Sequence, residues 1–204
     1  MRRLMLALVV VLIVIGVLGG LLVVGDAVAV HLTESAVATR IEQQVTGSHA
    51  TVTISSRPFL VHLAASGTVD ELHAHVTGVV EDHYTFESID VVVHDLNVNR
   101  GDLFSGKVHL TKIKEADITA VMSKADLIQA GVVRGLKSLG ALGSSGSASV
   151  SSSKSNVQVE IGGATFTLPL TTLVPCVGSA DYTGGKLVLT CVTHQIPAAL
   201  SSTS

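Results

Sequence analysis

The chain has 204 residues, a formal net charge of −3 at pH 7, aromatic residues at 3% and no tryptophan. It therefore lacks the excess of basic residues and the aromatic stacking surface that nucleic-acid binding requires, and we exclude that class of partner. Behind an apolar N-terminal segment about 180 residues remain, which is enough for one domain with a hydrophobic core.

The N-terminal segment, residues 1–25, carries Arg2 and Arg3 followed by a run from Leu4 to Val24 without a charge. As a helix this run would span roughly 31 Å, close to the hydrocarbon thickness of a bilayer. The arginines favour the cytoplasm, so we expect a single-pass cell-membrane protein with an extracytoplasmic domain over residues 26–204. The alternative is a cleaved signal, since Ala27-Val28-Ala29 offers a small-residue cleavage site.

An amphipathic helix is predicted over Asp26 to Thr46, because apolar residues recur there at helical spacing and Gly47 favours a C-terminal cap. Its apolar stripe is Val30, Val37, Ile41 and Val45. A strand is predicted over Ala50 to Ser56, where apolar and polar residues alternate. Pro58 ends this strand ahead of a turn or short helix that begins at Phe59.

Alternation predicts five further strands, at Thr68–Thr77, His83–Phe86, Ser88–Val98, Gly106–Ile113 and Asp117–Met122. Ser123 and Asp126 form a variant of the capping box, so a second helix is predicted to start there. Residues 140–155 are rich in Gly, Ser and Ala and are predicted to be a flexible loop, or alternatively a lid or a partner-binding segment. The pairs Gly162-Gly163 and Gly184-Gly185 predict two hairpins, and the whole pattern indicates an α+β domain.

The two cysteines, Cys176 and Cys191, flank the second hairpin with a spacing of 15 residues. A disulfide there would stabilise the fold by roughly 3 kcal/mol in the chain-entropy model, and it would persist only in an oxidising compartment. Two free buried thiols or half a metal site are the alternatives. The metal site is disfavoured, because neither cysteine has a partner at CxxC spacing and His194 alone cannot complete four ligands.

Catalytic motifs are absent from the sequence, which contains no GxSxG, no P-loop and no GxGxxG between a strand and a helix. His73 and His75 are the best candidates for chemistry, because side chains two apart on a strand share a face and can chelate a metal ion. His83 or His94 would have to supply a third ligand. The alternation instead leaves His73 and His75 in solvent, and we expect no enzyme, no metal and no cofactor.

Short motifs follow the predicted helix: Arg57-Pro58-Phe59-Leu60 with Leu63 and Gly67, Gly101-Asp102-Leu103-Phe104-Ser105-Gly106, Lys124-Ala125-Asp126-Leu127, Val174-Pro175-Cys176 and Gly184-Gly185-Lys186-Leu187. Together they span most of residues 26–196. The chain thereby resembles the LmeA family of actinobacterial envelope proteins, which carry a phospholipid-binding label. It departs from the family at Val61-His62, where members often have Thr-Gln, and in the Gly/Ser-rich stretch.

The resemblance implies a curved antiparallel sheet wrapped around the long helix, similar to tubular lipid-binding folds, with acyl chains in the groove between them. The residues expected to contact lipid are a helix wall and an apolar lip: Val37, Ile41, Val45, Pro58, Phe59 and Leu60. The expected function is to hold or present phospholipid or glycolipid for envelope lipid assembly or homeostasis, with glycolipid-assembly proteins as candidate partners. The alternatives are an envelope scaffold without a ligand and a hydrolase acting on lipids or glycans.

Overall fold

The computed structural model describes residues 25–45, 47–56, 58–81, 84–99, 110–129, 145–146, 148–152, 156–161, 164–169 and 176–196. Within these ranges, no helix has the length and apolar character needed to cross a membrane. The apolar run from Leu4 to Val24, on which the predicted membrane anchor depends, lies outside the described residues.

The described helices are α1 (25–44), α2 (Phe59–Ala65) and α3 (Lys124–Gln129). The described strands are β1 (His49–Ile54), β2 (Thr68–Glu81), β3 (Tyr84–Val98), β4 (Leu110–Lys112), β5 (Glu115–Ser123), β6 (Ser145–Gly146), β7 (Ala148–Ser152), β8 (Asn156–Ile161), β9 (Ala164–Pro169), β10 (Ser179–Thr183) and β11 (Lys186–Thr193). The α+β class and the long N-terminal helix are thus confirmed.

The strands form two antiparallel sheets. The main sheet has the order β1-β2-β3-β5-β11-β10-β6, with β4 also paired to β3, and the second sheet has the order β7-β8-β9. Alternate residues of the main sheet point to one buried face, as the period of two predicts. Val76, Ile89, Ile118 and Leu187, from four different strands, are at most 1% exposed on that face.

The β2–β3 pair changes the side that points inward partway along its length. On β2, Val76 and Val79 are both buried although they are three residues apart, a spacing that puts side chains on opposite faces of a regular strand. Their partners on β3, Ile89 and Phe86, are likewise both buried. Gly78 lies inside this step with a φ of +69°. A glycine with positive φ within a strand increases the local twist and bends the ladder, so the two strands bend together here.

This bend explains one wrong prediction. The segments His83–Phe86 and Ser88–Val98 were expected to be separate strands, whereas Tyr84–Val98 is one continuous strand. The interruption of the alternation at Glu87 marks a bend within β3 and does not mark its end. The predicted strand Gly106–Ile113 is described only at its end, where Leu110–Lys112 form β4.

The Gly/Ser-rich segment also differs from its prediction as a loop. Residues Ser145–Gly146 and Ala148–Ser152 form β6 and β7, while the rest of 140–155 lies outside the described residues. Val150 of β7 stands opposite Val159 of β8, which is fully buried. Pairing with a neighbouring strand therefore orders a segment whose small residues carry no readable periodicity of their own.

Three local predictions are confirmed. The backbone N–H of Asp126 donates to Ser123 Oγ at 3.2 Å and the N–H of Ser123 donates to Asp126 Oδ2 at 3.1 Å, which is a reciprocal cap at the start of α3. The two predicted hairpins are β8–β9 and β10–β11, the second turning at Gly184 and Gly185 with φ of +63° and +78°. Cys176 and Cys191 form a disulfide with their Cα atoms 5.6 Å apart.

Candidate functional site

Helix α1 lays its apolar stripe against the hydrophobic core. Ile41 is 3% exposed and belongs to that core. Val30, Val37 and Val45 are half-buried and pack against it from the same side of the helix. The stripe predicted from helical spacing is therefore the contact surface of α1, and three of its four members retain some exposed area.

Three carboxylates of α1 fix the helix against the chain that follows it. Glu42 Oε1 accepts a hydrogen bond from the N–H of Ala50 at 2.9 Å, and Glu34 Oε1 accepts one from the N–H of Ile54 at 2.7 Å. Asp26 accepts from two consecutive N–H groups at the start of α2. Glu34 and Glu42 are about 12 Å apart along α1, and their partners Ile54 and Ala50 are about 13 Å apart along β1. Because the later glutamate contacts the earlier strand residue, α1 runs antiparallel alongside β1.

The buried face of the main sheet is aliphatic. Its central positions are Ala74 and Val76 of β2, Ile89, Val91 and Val93 of β3, and Ala116, Ile118 and Ala120 of β5. Among the described residues, the one buried polar side chain is Ser56, whose hydroxyl hydrogen-bonds to Asp70. This face offers contacts to hydrocarbon and no buried charge that would select an ion or a polar substrate.

Helix α2 places the predicted apolar lip at one end of the domain. Pro58 is exposed and stands at the N-cap position of α2. Phe59 is 3% exposed and belongs to the core, whereas Leu60 is 39% exposed. The aromatic ring therefore packs inside the domain, and the neighbouring leucine supplies the apolar surface on the outside.

A family model described as LmeA-like phospholipid-binding matches residues 24–202. The chain belongs to this family. The match covers every helix and strand described above and confirms the resemblance seen in the short motifs. The family's description names a bound lipid and names no reaction. Searches among curated proteins and among solved structures returned no match.

In this LmeA-like chain the histidines of β2 lie on the solvent side of the main sheet. One oxygen of Asp90 is 3.3 Å from His73 Nε2 and 2.7 Å from His75 Nδ1, and the three side chains are 32–45% exposed. His94 pairs instead with carboxylates on either side, and His83 lies outside the described residues. Across the described ranges, no group of three or more His, Cys, Asp or Glu side chains is arranged to hold a metal ion.

The role of Asp26, Glu34 and Glu42 was not predicted from the sequence. The available signal was their regular spacing of eight residues along one helix. Charged residues on an amphipathic helix usually face water, so this spacing alone did not indicate hydrogen bonds to a distant backbone. In this member of the LmeA-like family, the acidic residues determine where the apolar stripe of α1 lies relative to the sheet.

Proposed function

We propose that the protein binds membrane lipid through its acyl chains, between α1 and the aliphatic face of the main sheet. The observation that carries this proposal is the half-buried stripe of α1, with Val37 and Val45 on either side of Ile41, facing a sheet surface made of Val, Ile and Ala. Membership of a phospholipid-binding family supports the class of ligand. The proposed lipid contacts are the helix wall and the α2 end: Val37, Ile41, Val45, Pro58, Phe59 and Leu60.

The energetics permit a useful affinity. Burial of each methylene group contributes roughly 0.8 kcal/mol, so about ten methylenes contribute on the order of 8 kcal/mol. That free energy corresponds to a dissociation constant near the micromolar range before the costs of association are subtracted. A slot of this kind needs no catalytic group, which agrees with the absence of catalytic motifs from the sequence.

The proposed setting is the outer side of a cell membrane. Residues 1–25 would anchor the chain, and residues 26–204 would form the extracytoplasmic lipid-binding domain. The Cys176–Cys191 disulfide supports an oxidising compartment, where such bonds persist. In this setting the protein would hold or present phospholipid or glycolipid for the assembly or homeostasis of envelope lipids, together with other envelope proteins.

The deciding experiment is native mass spectrometry of the purified full-length chain, followed by organic extraction and lipid analysis. We expect an adduct with the mass of a diacyl lipid that is lost on denaturation and recovered in the extract. A protein that carries no lipid after mild purification, and takes up none from vesicles, would contradict the proposal. In that case a ligand-free envelope scaffold would be the better interpretation.

A further inference from the structure

Four large apolar side chains are exposed at the end of the domain where α1 begins. We call them the α1–α2 patch: Val28 at 53%, Leu32 at 64%, Leu60 at 39% and Val61 at 54% exposed. Asp26 joins the two helices at this end, because its carboxylate accepts hydrogen bonds from Phe59 N–H at 3.0 Å and Leu60 N–H at 2.6 Å. The exposed apolar residues of both helices are thus held at the same end of the fold.

The outer face of α1 is apolar only in its first two turns. At about 100° per residue, Val28 and Leu32 lie opposite the stripe that contacts the core. The next residues on that outer face are Ser35, Thr39 and Gln43, and all three are exposed. The outer face of α1 thus changes from valine and leucine to hydroxyl and amide side chains along its length. This change indicates that its first two turns contact something other than water.

The exposed side of α2 is mostly apolar, and its one polar side chain, His62, is 40% exposed and pairs with Asp70. Leu60, Val61, Ala64 and Ala65 are its exposed residues, while Phe59 on the other side is buried in the core. A helix that is apolar on its outer as well as its inner side normally contacts something other than water. The α1–α2 patch therefore needs an occupant of apolar chemistry.

We propose that this occupant is the surface of a lipid bilayer. The uncharged run from Leu4 to Val24 ends one residue before the first described turn of α1. If that run spans the membrane as a helix continuous with α1, Val28 and Leu32 lie roughly 6 and 12 Å beyond its end, at the level of the lipid headgroups and just outside them. The inference rests on the proposed function and adds to it the end of the domain through which a lipid would pass.

The test uses the full-length chain in liposomes of phosphatidylcholine and phosphatidylglycerol, with a fluorophore on a single introduced cysteine. Val61→Cys reports on the patch. Val80→Cys is the matched control, because Val80 is 58% exposed and lies far along β2 from α2. Asp70 marks the α2 end of that strand, since it pairs with His62 of α2 at 3.2 Å, and Val80 follows it by ten residues. Ten residues of strand correspond to roughly 30 Å. The native cysteines are bonded to each other and do not compete for the label.

A lipid spin-labelled near the headgroup should quench the probe at position 61 severalfold more strongly than the probe at position 80. Equal quenching at the two positions would overturn the docking proposal. The proposal would also be overturned if, in detergent, the probe at position 61 is shielded from solvent in a species of twice the monomer mass. That result would identify a second copy of the chain as the occupant.

Lipid retention separates this proposal from the proposed function. The double variant Leu32→Ser, Val61→Ser removes exposed apolar area without touching the core or a proposed lipid contact, so the purified protein should keep its co-purified lipid while its uptake from vesicles slows severalfold. Unchanged uptake would count against docking even if lipid is bound. Strong quenching at position 61 in a protein that never retains lipid would instead leave docking in place and refute the lipid-binding proposal.

Discussion

Glu34 and Ile54, twenty residues apart in the chain, are joined by a 2.7 Å hydrogen bond from the backbone N–H of Ile54 to the carboxylate of Glu34. Strand β1 lies at the end of the main sheet and pairs with β2 on one side. The carboxylate therefore satisfies a backbone group on the strand's other side. In this way α1 protects an edge that would otherwise be open to pairing with another chain.

Replacing Glu34 with alanine should lower the free energy of unfolding by about 1–2 kcal/mol, because the N–H of Ile54 loses a charged acceptor. Glu34→Gln is the control, since its amide oxygen can still accept the bond, and it should lose less than half as much. Urea denaturation of the two variants and the wild type measures the difference. If the alanine variant is as stable as the wild type, the bond contributes nothing to stability.

The Cys176–Cys191 disulfide should be essential to the stability of the isolated protein. Cys191→Ser should reduce the free energy of unfolding by about 2–4 kcal/mol, because the unfolded chain regains the freedom of the loop. The double variant Cys176→Ser, Cys191→Ser should match the single variant, since both lack the same bond. Alkylation followed by mass spectrometry of the native protein checks the bond directly, and two modified thiols in unreduced protein would contradict it.

Adjacent residues of α2 should respond very differently to truncation. Phe59→Ala should cost about 3–5 kcal/mol, because a buried ring leaves a cavity, whereas Leu60→Ala should cost less than about 1 kcal/mol, because that side chain is partly in water. Thermal unfolding of the two variants gives the comparison. A Phe59→Ala protein with an unchanged transition would mean that the ring lines an opening and lies outside the close-packed core.

The helix wall should bind lipid through Val37, which is half-buried. Val37→Asp should abolish lipid retention, because an unpaired charge in an apolar slot costs several kcal/mol. Gln43→Asp introduces the same charge at an exposed position of α1 and should leave retention unchanged. Retention is measured by extraction and lipid analysis, with circular dichroism as the check on folding. Folded Val37→Asp protein with normal lipid content would exclude this wall from the site.

The bend in the β2–β3 pair should depend on Gly78. Gly78→Ala should destabilise the domain by about 1–2 kcal/mol, because an L-residue is strained at a φ of +69° and its Cβ would lie 3.3 Å from the carbonyl oxygen of Gly47. Gly178→Ala is the control, since its Cβ would meet the nearest atom at an ordinary 3.5 Å without positive φ. Equal effects of the two substitutions on the unfolding midpoint would show that the backbone at Gly78 is unstrained.

Local patterns were sufficient to predict most of the elements. The stripe of α1, the cap at Ser123 and Asp126 and the turn at Gly184 and Gly185 each depend on residues close together in sequence, and the structure contains all three. The disulfide was predictable because two cysteines allow one pairing. These features need no knowledge of how distant segments meet.

The features that were missed depend on distant partners. Glu87 interrupts the alternation of β3 because the neighbouring strand bends at Gly78, and nothing near Glu87 carries that information. Strand β7 exists because β8 pairs with it. Glu34 and Glu42 have the appearance of solvated helix residues until β1 is placed beside them. In each case the missing information is which segments, distant in sequence, lie beside each other in the fold.

The position of β11 sets the order in which the domain can be completed. This strand lies between β5 and β10 in the sheet, although it follows both of them in the sequence. Until residues 186–193 arrive, β5 presents an open hydrogen-bonding edge and Cys176 has no thiol to oxidise with. The main sheet therefore cannot be completed before residues 186–193 have been synthesised, and until then the partly folded domain depends on protection from aggregation.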